Sequence, residues 1–272
     1  MNNHSVFEAP FVVETGETAG NMYRLGWDER NGGNISMLLE EEEVGQYLDL
    51  TKVIREIPVD FDAAPLEGRY FIITGTGKYF KNIAKDPETN LGIIRIGKGG
   101  HTAELLWGFR NGGAPTSEFP AHLMSHISRL GVDPQHRVVM HCHPQYIIAM
   151  NRVVPADTKE FTHRLWQSNT EAVIVYPDGV AVLPCMVCGT KEIGELTAET
   201  MKKFRIVVWS NHGIYGVGHD LDEAFGLIET VEKMAQIYML SFPHAINVIP
   251  DATIQALADR FQVTPLEGIL QL

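Results

Sequence analysis

The chain has 272 residues, 44% of them hydrophobic and 21% charged, enough apolar material to bury a large core without disulfide staples. Its formal net charge of −12 excludes a broad phosphate-backbone partner such as nucleic acid, which needs clustered Lys and Arg, but leaves small anionic substrates open. No run reaches the roughly 20 apolar residues of a spanning helix, and the start MNNHSVFEAPFVVETGE has neither the basic end nor the apolar centre of a signal peptide, so a cytoplasmic protein without a membrane partner is expected.

The first amphipathic stretch, ETGETAGNMYRLGW at 14 to 27, predicts a helix that ends in WDER and the loop NGGN at 31 to 34. Four glutamates at 40 to 43 suit a solvated face or a helix start. From about 40 to 68 the periodicity is weak, and this stretch reads as an insertion or irregular structure within a single domain spanning 1 to 272.

Short β-rich runs follow: RYFIITG, LGIIRIG, AELLWGF, RVVMHCH, EAVIVYP, GVAVLP and RIVVWSNHGIYGVG. Helical patterns separate them at about 118 to 131, 144 to 152, 157 to 168, 190 to 203 and 220 to 240. The last opens on Asp220 and Glu223 in capping-box spacing. EAVIVYP and GVAVLP, joined across Asp178 and Gly179, predict a hairpin, so the α/β fold is expected to carry a mixed sheet with many antiparallel pairs. Heptads, internal repeats and low-complexity tracts are absent from the sequence.

Three cysteines, Cys142, Cys185 and Cys188, form too sparse a set for a disulfide framework. Cys185 and Cys188 make a lone CxxC in an apolar stretch, without the second pair that a four-cysteine zinc site requires. Packing is the expected role, with redox chemistry or adventitious metal binding as the alternative.

If RVVMHCH is a strand, His141 and His143 share one face and Cys142 points to the other. Two imidazoles do not complete a metal site, so a third ligand has to come from elsewhere. His122 and His126 lie four apart, but Leu123 stands where a zincin needs glutamate, and this pair is expected to be surface or core histidine. The better third ligand is His212 in WSNHGIYGVG, at the end of an apolar strand and followed by Gly213, Gly216 and Gly218, which are expected to let the backbone turn sharply. Three neutral imidazoles with an open position suit catalytic Zn²⁺, though the set also accepts other first-row divalent ions.

Three loops are rich in small hydrogen-bonding residues: NGGN, TGTGK at 74 to 78 and PTSE at 115 to 118. Each can present amides and hydroxyls to an anion. The middle loop is neither a P-loop nor a dinucleotide fingerprint, since Phe80 stands in place of the third glycine. Thr116 or Ser117 is placed as an N-cap with Pro120 in the first turn, which sets Glu118 at the positive end of the helix dipole.

NGGN, TGTGK, PTSE, HCH and NHG, in that order from about residue 20 onward, resemble the class II aldolase and adducin-head family. The longer motifs WDERNGGN, FIITGTGKYF, PTSEFPAH, VVMHCH, YPDGV and DEAFGLI are similar to its sugar-phosphate aldolases. The resemblance implies a three-layer α/β/α fold around a mixed, mostly antiparallel sheet, and a homotetramer. It implies one Zn²⁺ per subunit on His141, His143 and His212, and Glu118 as catalytic acid/base. Asn31, Gly32, Asn34, Thr76, Gly77, Thr116 and Ser117 would surround the phosphate and dihydroxyacetone half of a sugar phosphate, and Glu171 would lie near the aldehyde half. The implied reaction is reversible cleavage of a ketose 1-phosphate through an enediolate. Thr76 departs from relatives, which commonly have serine there.

Three other readings stand beside this one. A sibling of the same family, whether an aldolase for another sugar phosphate, an epimerase or a thioribulose-phosphate dehydratase, would use the same ion. A non-catalytic scaffold would lack the histidines or the carboxylate, and a redox protein would work through Cys185 and Cys188.

Overall fold

A computed structural model describes residues 4–271. Its centre is a nine-stranded sheet among the described residues. The strands are β1 (Asn34–Leu39), β2 (Arg55–Pro58), β3 (Tyr70–Thr74), β4 (Leu91–Ile96), β5 (Thr102–Gly108), β6 (Val138–Cys142), β7 (Ala181–Leu183), β8 (Ile206–Trp209) and β9 (Gly213–Gly218). They lie in the order β2-β5-β4-β3-β1-β6-β9-β8-β7. Every pairing is antiparallel except β7 with β8, so the sheet is mixed and mostly antiparallel, as expected.

Strand alternation divides the core. On one face Ile35, Met37, Met140, Cys142 and Ile214 pack under helices Pro10–Arg24 and Leu221–Ser241. On the other, Leu38, Phe71 and Ile73 meet helix Phe119–Leu130, while Val139, Trp209 and Tyr215 meet helix Lys191–Thr200. Both faces of the central strands are therefore buried, and their sequences read as continuous apolar runs. Helices Phe119–Leu130 and Lys191–Thr200 pack on each other over this second face.

The hairpin expected at 171 to 184 does not form. Ala172–Val175 is a helical turn and β7 pairs in parallel with β8. Ala172, Val173 and Tyr176 are buried in the first core, and Arg205 donates to both the Val175 carbonyl and Asp178. Tertiary contacts thus override the strand propensity of a β-branched run. The 40–68 stretch contributes helix Glu41–Gly45, edge strand β2, and buried Val59, Phe61, Ala63 and Leu66. Strand β1 and helix Asp251–Phe261 also went unanticipated in the sequence.

Cys142 is fully buried, and the low-polarity surroundings push its thiol well above its ordinary pKa. Cys142→Ala is expected to leave metal content unchanged and to lower stability by about 1 kcal/mol, checked by metal analysis and denaturant unfolding. Cys185 and Cys188 are free thiols and exposed, which corrects the packing role expected for them.

Candidate active site

The two expected metal-binding segments meet where β6 ends and β8 turns into β9. His141 pairs with Tyr215 in the sheet register, His143 follows the end of β6, and His212 sits in the β8–β9 turn, where its amide donates to the Trp209 carbonyl at 3.0 Å. Asn211 takes the left-handed conformation of that turn, with φ of 60°. Gly213 instead provides room: a Cβ there would lie 2.3 Å from the Cys142 carbonyl oxygen, 2.9 Å from the His143 ring and 3.0 Å from the His141 ring. The glycine expected to turn the chain therefore lets the ligand rings approach. Gly32 does the same from the other side, since its Cβ would fall 2.9 Å from His143 Nδ1.

The ligating nitrogens of His141, His143 and His212 lie within 4.8 Å of one another. His141 Nδ1 donates to the Ile214 carbonyl at 2.9 Å, and His143 Nδ1 donates to Glu29 at 3.1 Å. These bonds place the ring hydrogens outward and turn both Nε2 lone pairs toward the common point. Both Nε2 atoms are buried without a hydrogen-bond partner among the described residues, a costly arrangement unless something fills it. Burial and the neighbouring imidazoles hold His141 well below its ordinary pKa, and His212 is lowered for the same reasons. Neutral rings with convergent lone pairs fit a divalent cation.

A second grouping, Asp133, His136 and His219, does not fit one. Arg129 donates to His136 Nδ1 from Nε at 3.0 Å and from an Nη at 2.8 Å, so His136 Nε2 carries the hydrogen and has no lone pair for an ion.

Glu118 stands beside the three histidines. Its Oε2 lies 3.6 Å from His141 Nε2 and its Oε1 3.9 Å from His212 Nε2. Oε2 accepts from Asn34 Nδ2 at 2.9 Å and from the Tyr215 hydroxyl at 2.7 Å. Glu118 is itself the N-cap residue of helix Phe119–Leu130, in the place expected for Thr116 or Ser117. The Thr116 hydroxyl instead accepts the Glu118 amide at 3.3 Å.

The small-residue loops come together next to this carboxylate. Gly75 bridges Pro115, the Thr76 amide donates to the Ala114 carbonyl, and the Thr116 amide donates to the Thr74 carbonyl. Asn31, Thr76, Gly77 and Ser117 are exposed, free to meet a ligand. Asn34 differs from the expectation: it is buried, and its amide is taken up by Glu118 at one end and His122 at the other. Glu171 is exposed and starts the helical turn Ala172–Val175; within one chain no hydrogen bond or ion pair among the described residues joins it to Glu118 or the histidines.

Sequence reading missed Tyr215 and Glu29. Tyr215 could have been found from alternation along β9, which puts it on the face of His141, where the rings stack with centroids 4.4 Å apart. Glu29 lies in WDER, a charged stretch beside a glycine loop, where nothing local distinguishes a histidine partner from a solvated acid.

The model of the class II aldolase and adducin N-terminal domain matches residues 14–239. A rhamnulose-1-phosphate aldolase of Listeria monocytogenes serotype 4a is 51% identical over 267 residues, covering 97% of this chain and 98% of that protein. One from Enterococcus faecalis is 52% identical over 269 residues, with 98% and 96% covered. The crystal structure of a sugar-phosphate aldolase from Thermotoga maritima superposes with a TM-score of 0.73 at 28% identity, covering 87% of this chain and 97% of that one.

Proposed function

Because the chain belongs to the class II aldolase and adducin N-terminal domain family, we propose that it cleaves L-rhamnulose 1-phosphate reversibly to dihydroxyacetone phosphate and L-lactaldehyde. The observation that carries this reading is the convergence of three imidazoles on one point beside a buried carboxylate, in a chain half identical to rhamnulose-1-phosphate aldolases.

His141, His143 and His212 would hold one Zn²⁺ per subunit. Bound there, such an ion would supply Lewis-acid chemistry, polarising the substrate's carbonyl and stabilising the negative charge that develops as the C3–C4 bond breaks. Glu118 returns a proton to C3 in the cleavage direction and removes it in the synthetic direction, as microscopic reversibility requires. Asn34 and Tyr215 hold that carboxylate by one oxygen. Thr76, Gly77, Thr116 and Ser117, from two loops that meet at the Gly75–Pro115 bridge, and Asn31 and Gly32, from the loop beside His143, form the anion-binding rim. Amides and hydroxyls there suit a phosphate in a chain whose overall charge would repel one. A cytoplasmic homotetramer completes the proposal; no helix among the described residues is long and apolar enough to cross a membrane.

The test is product analysis from a panel of ketose 1-phosphates with zinc-loaded protein. L-lactaldehyde and dihydroxyacetone phosphate are expected from L-rhamnulose 1-phosphate, faster than aldehyde from any other ketose. An epimerised or dehydrated product would move the assignment to a sibling enzyme, and no turnover of any member would refute it.

A further inference from the structure

His122 and His126, read in the sequence as surface or core histidine, are fully buried below Glu118 together with Ser36. Their hydrogen bonds run in one direction only, and that direction follows from what each atom is able to donate.

A carboxylate oxygen accepts, so Asn34 presents its Nδ2 to Glu118 Oε2, at 2.9 Å. The other end of that amide is then Oδ1, an acceptor, and His122 Nε2 must donate to it. Burial pushes the His122 pKa down to about 3, so the ring is neutral and its Nδ1 is a bare lone pair. The Ser36 hydroxyl therefore donates to His122 Nδ1 at 2.6 Å. Having used its hydrogen, the Ser36 oxygen accepts from His126 Nε2 at 2.8 Å. His126, also held near 3 by burial, ends the chain with an Nδ1 that has no partner among the described residues.

Tyr215 supplies a second donor to the same oxygen, at 2.7 Å. Oε2 thus receives two hydrogen bonds, whereas Oε1 receives none among the described residues and faces His212 at 3.9 Å. A proton on Oε2 would require every link back to His126 to reverse. We propose that Ser36, His122 and His126 are positioning residues, a one-way donor chain that reserves Glu118 Oε2 as an acceptor and leaves Oε1 as the oxygen that exchanges a proton with substrate. The proposal rests on Glu118 being the acid/base of an aldolase.

The test uses the full-length, zinc-loaded protein. Ser36→Ala breaks the chain and frees His122 to change tautomer. It is expected to lower kcat and the exchange of the C3 hydrogen of dihydroxyacetone phosphate with D₂O by about 10- to 100-fold, with KM and zinc content unchanged. His122→Leu should match it, and Ser36→Thr, which restores a hydroxyl on a strand, should recover most of the loss. In the unsubstituted protein, histidine ¹⁵N shifts should show His122 neutral with hydrogen on Nε2. Full activity in both chain-breaking variants, a loss that tracks zinc or KM instead, or a His122 with hydrogen on Nδ1 would overturn the inference. Absence of cleavage and exchange in the unsubstituted protein would overturn the aldolase reading instead, and the ¹⁵N measurement would still decide the chain on its own.

Discussion

Glu118→Gln is expected to abolish exchange of the C3 hydrogen of dihydroxyacetone phosphate with solvent while the full complement of metal stays bound. Gln has nearly the shape of Glu and can keep one oxygen toward Asn34 Nδ2 and Tyr215, which now donate at 2.9 and 2.7 Å. What it loses is the ability to take a proton. General acid and base groups contribute about 10²- to 10⁴-fold, and exchange and cleavage should fall together within that range, because one carboxylate serves both directions. The metal should remain, since His141 and His143 are oriented by the Ile214 carbonyl and by Glu29, not by Glu118. Retained exchange in this variant would remove Glu118 from its role. Loss of metal along with exchange would make it a ligand instead.

The second large effect is expected at His212. His212→Ala should weaken zinc binding by more than the roughly 10- to 100-fold that follows loss of an outer partner of a metal ligand, and activity should fall with it. His141 and His143 lie two residues apart on one segment at the end of β6, whereas His212 comes from the β8–β9 turn, so its removal leaves only the two imidazoles of a single segment. The measurements are metal stoichiometry after dialysis against a chelator and activity on reloading with zinc. The parent protein should lose turnover on chelation and regain it with zinc. Full activity in metal-free parent protein would sink the scheme, as would unchanged zinc affinity in the variant.

These two expectations lean on different kinds of information. The three-histidine cluster was legible because its signals are local: HCH on an apolar run, and NHG where a strand ends. The loops were legible because glycine, threonine and asparagine concentrate where a backbone turns and exposes amides. The resemblance of five motifs in order then supplied roles that spacing alone does not, among them Glu118 as acid/base.

Other features were misread for physical reasons. The run EAVIVYP looks like a strand because Val and Ile favour the pleated surface, yet Ala172 and Val173 gain more by packing as a helical turn against the helices around them. Gly213 looked like a turn residue, but its backbone is ordinary and its use is the space a side chain would fill beside two ligand rings. Asn34 looked like part of an anion loop, yet burial at the start of β1 commits both ends of its amide.

By itself, then, the sequence determined the α/β class and the identity of the groups with the chemistry to bind metal and move protons, because residue chemistry and periodicity are local properties. Only the tertiary structure decided which of them face one another. It turned His122 and His126 from ordinary core histidines into a chain leading to Glu118, and it brought Tyr215 onto the same oxygen. Such contacts join residues separated by 84 to 97 positions, and the direction of a hydrogen bond depends on the partner at each end, which no stretch of sequence contains.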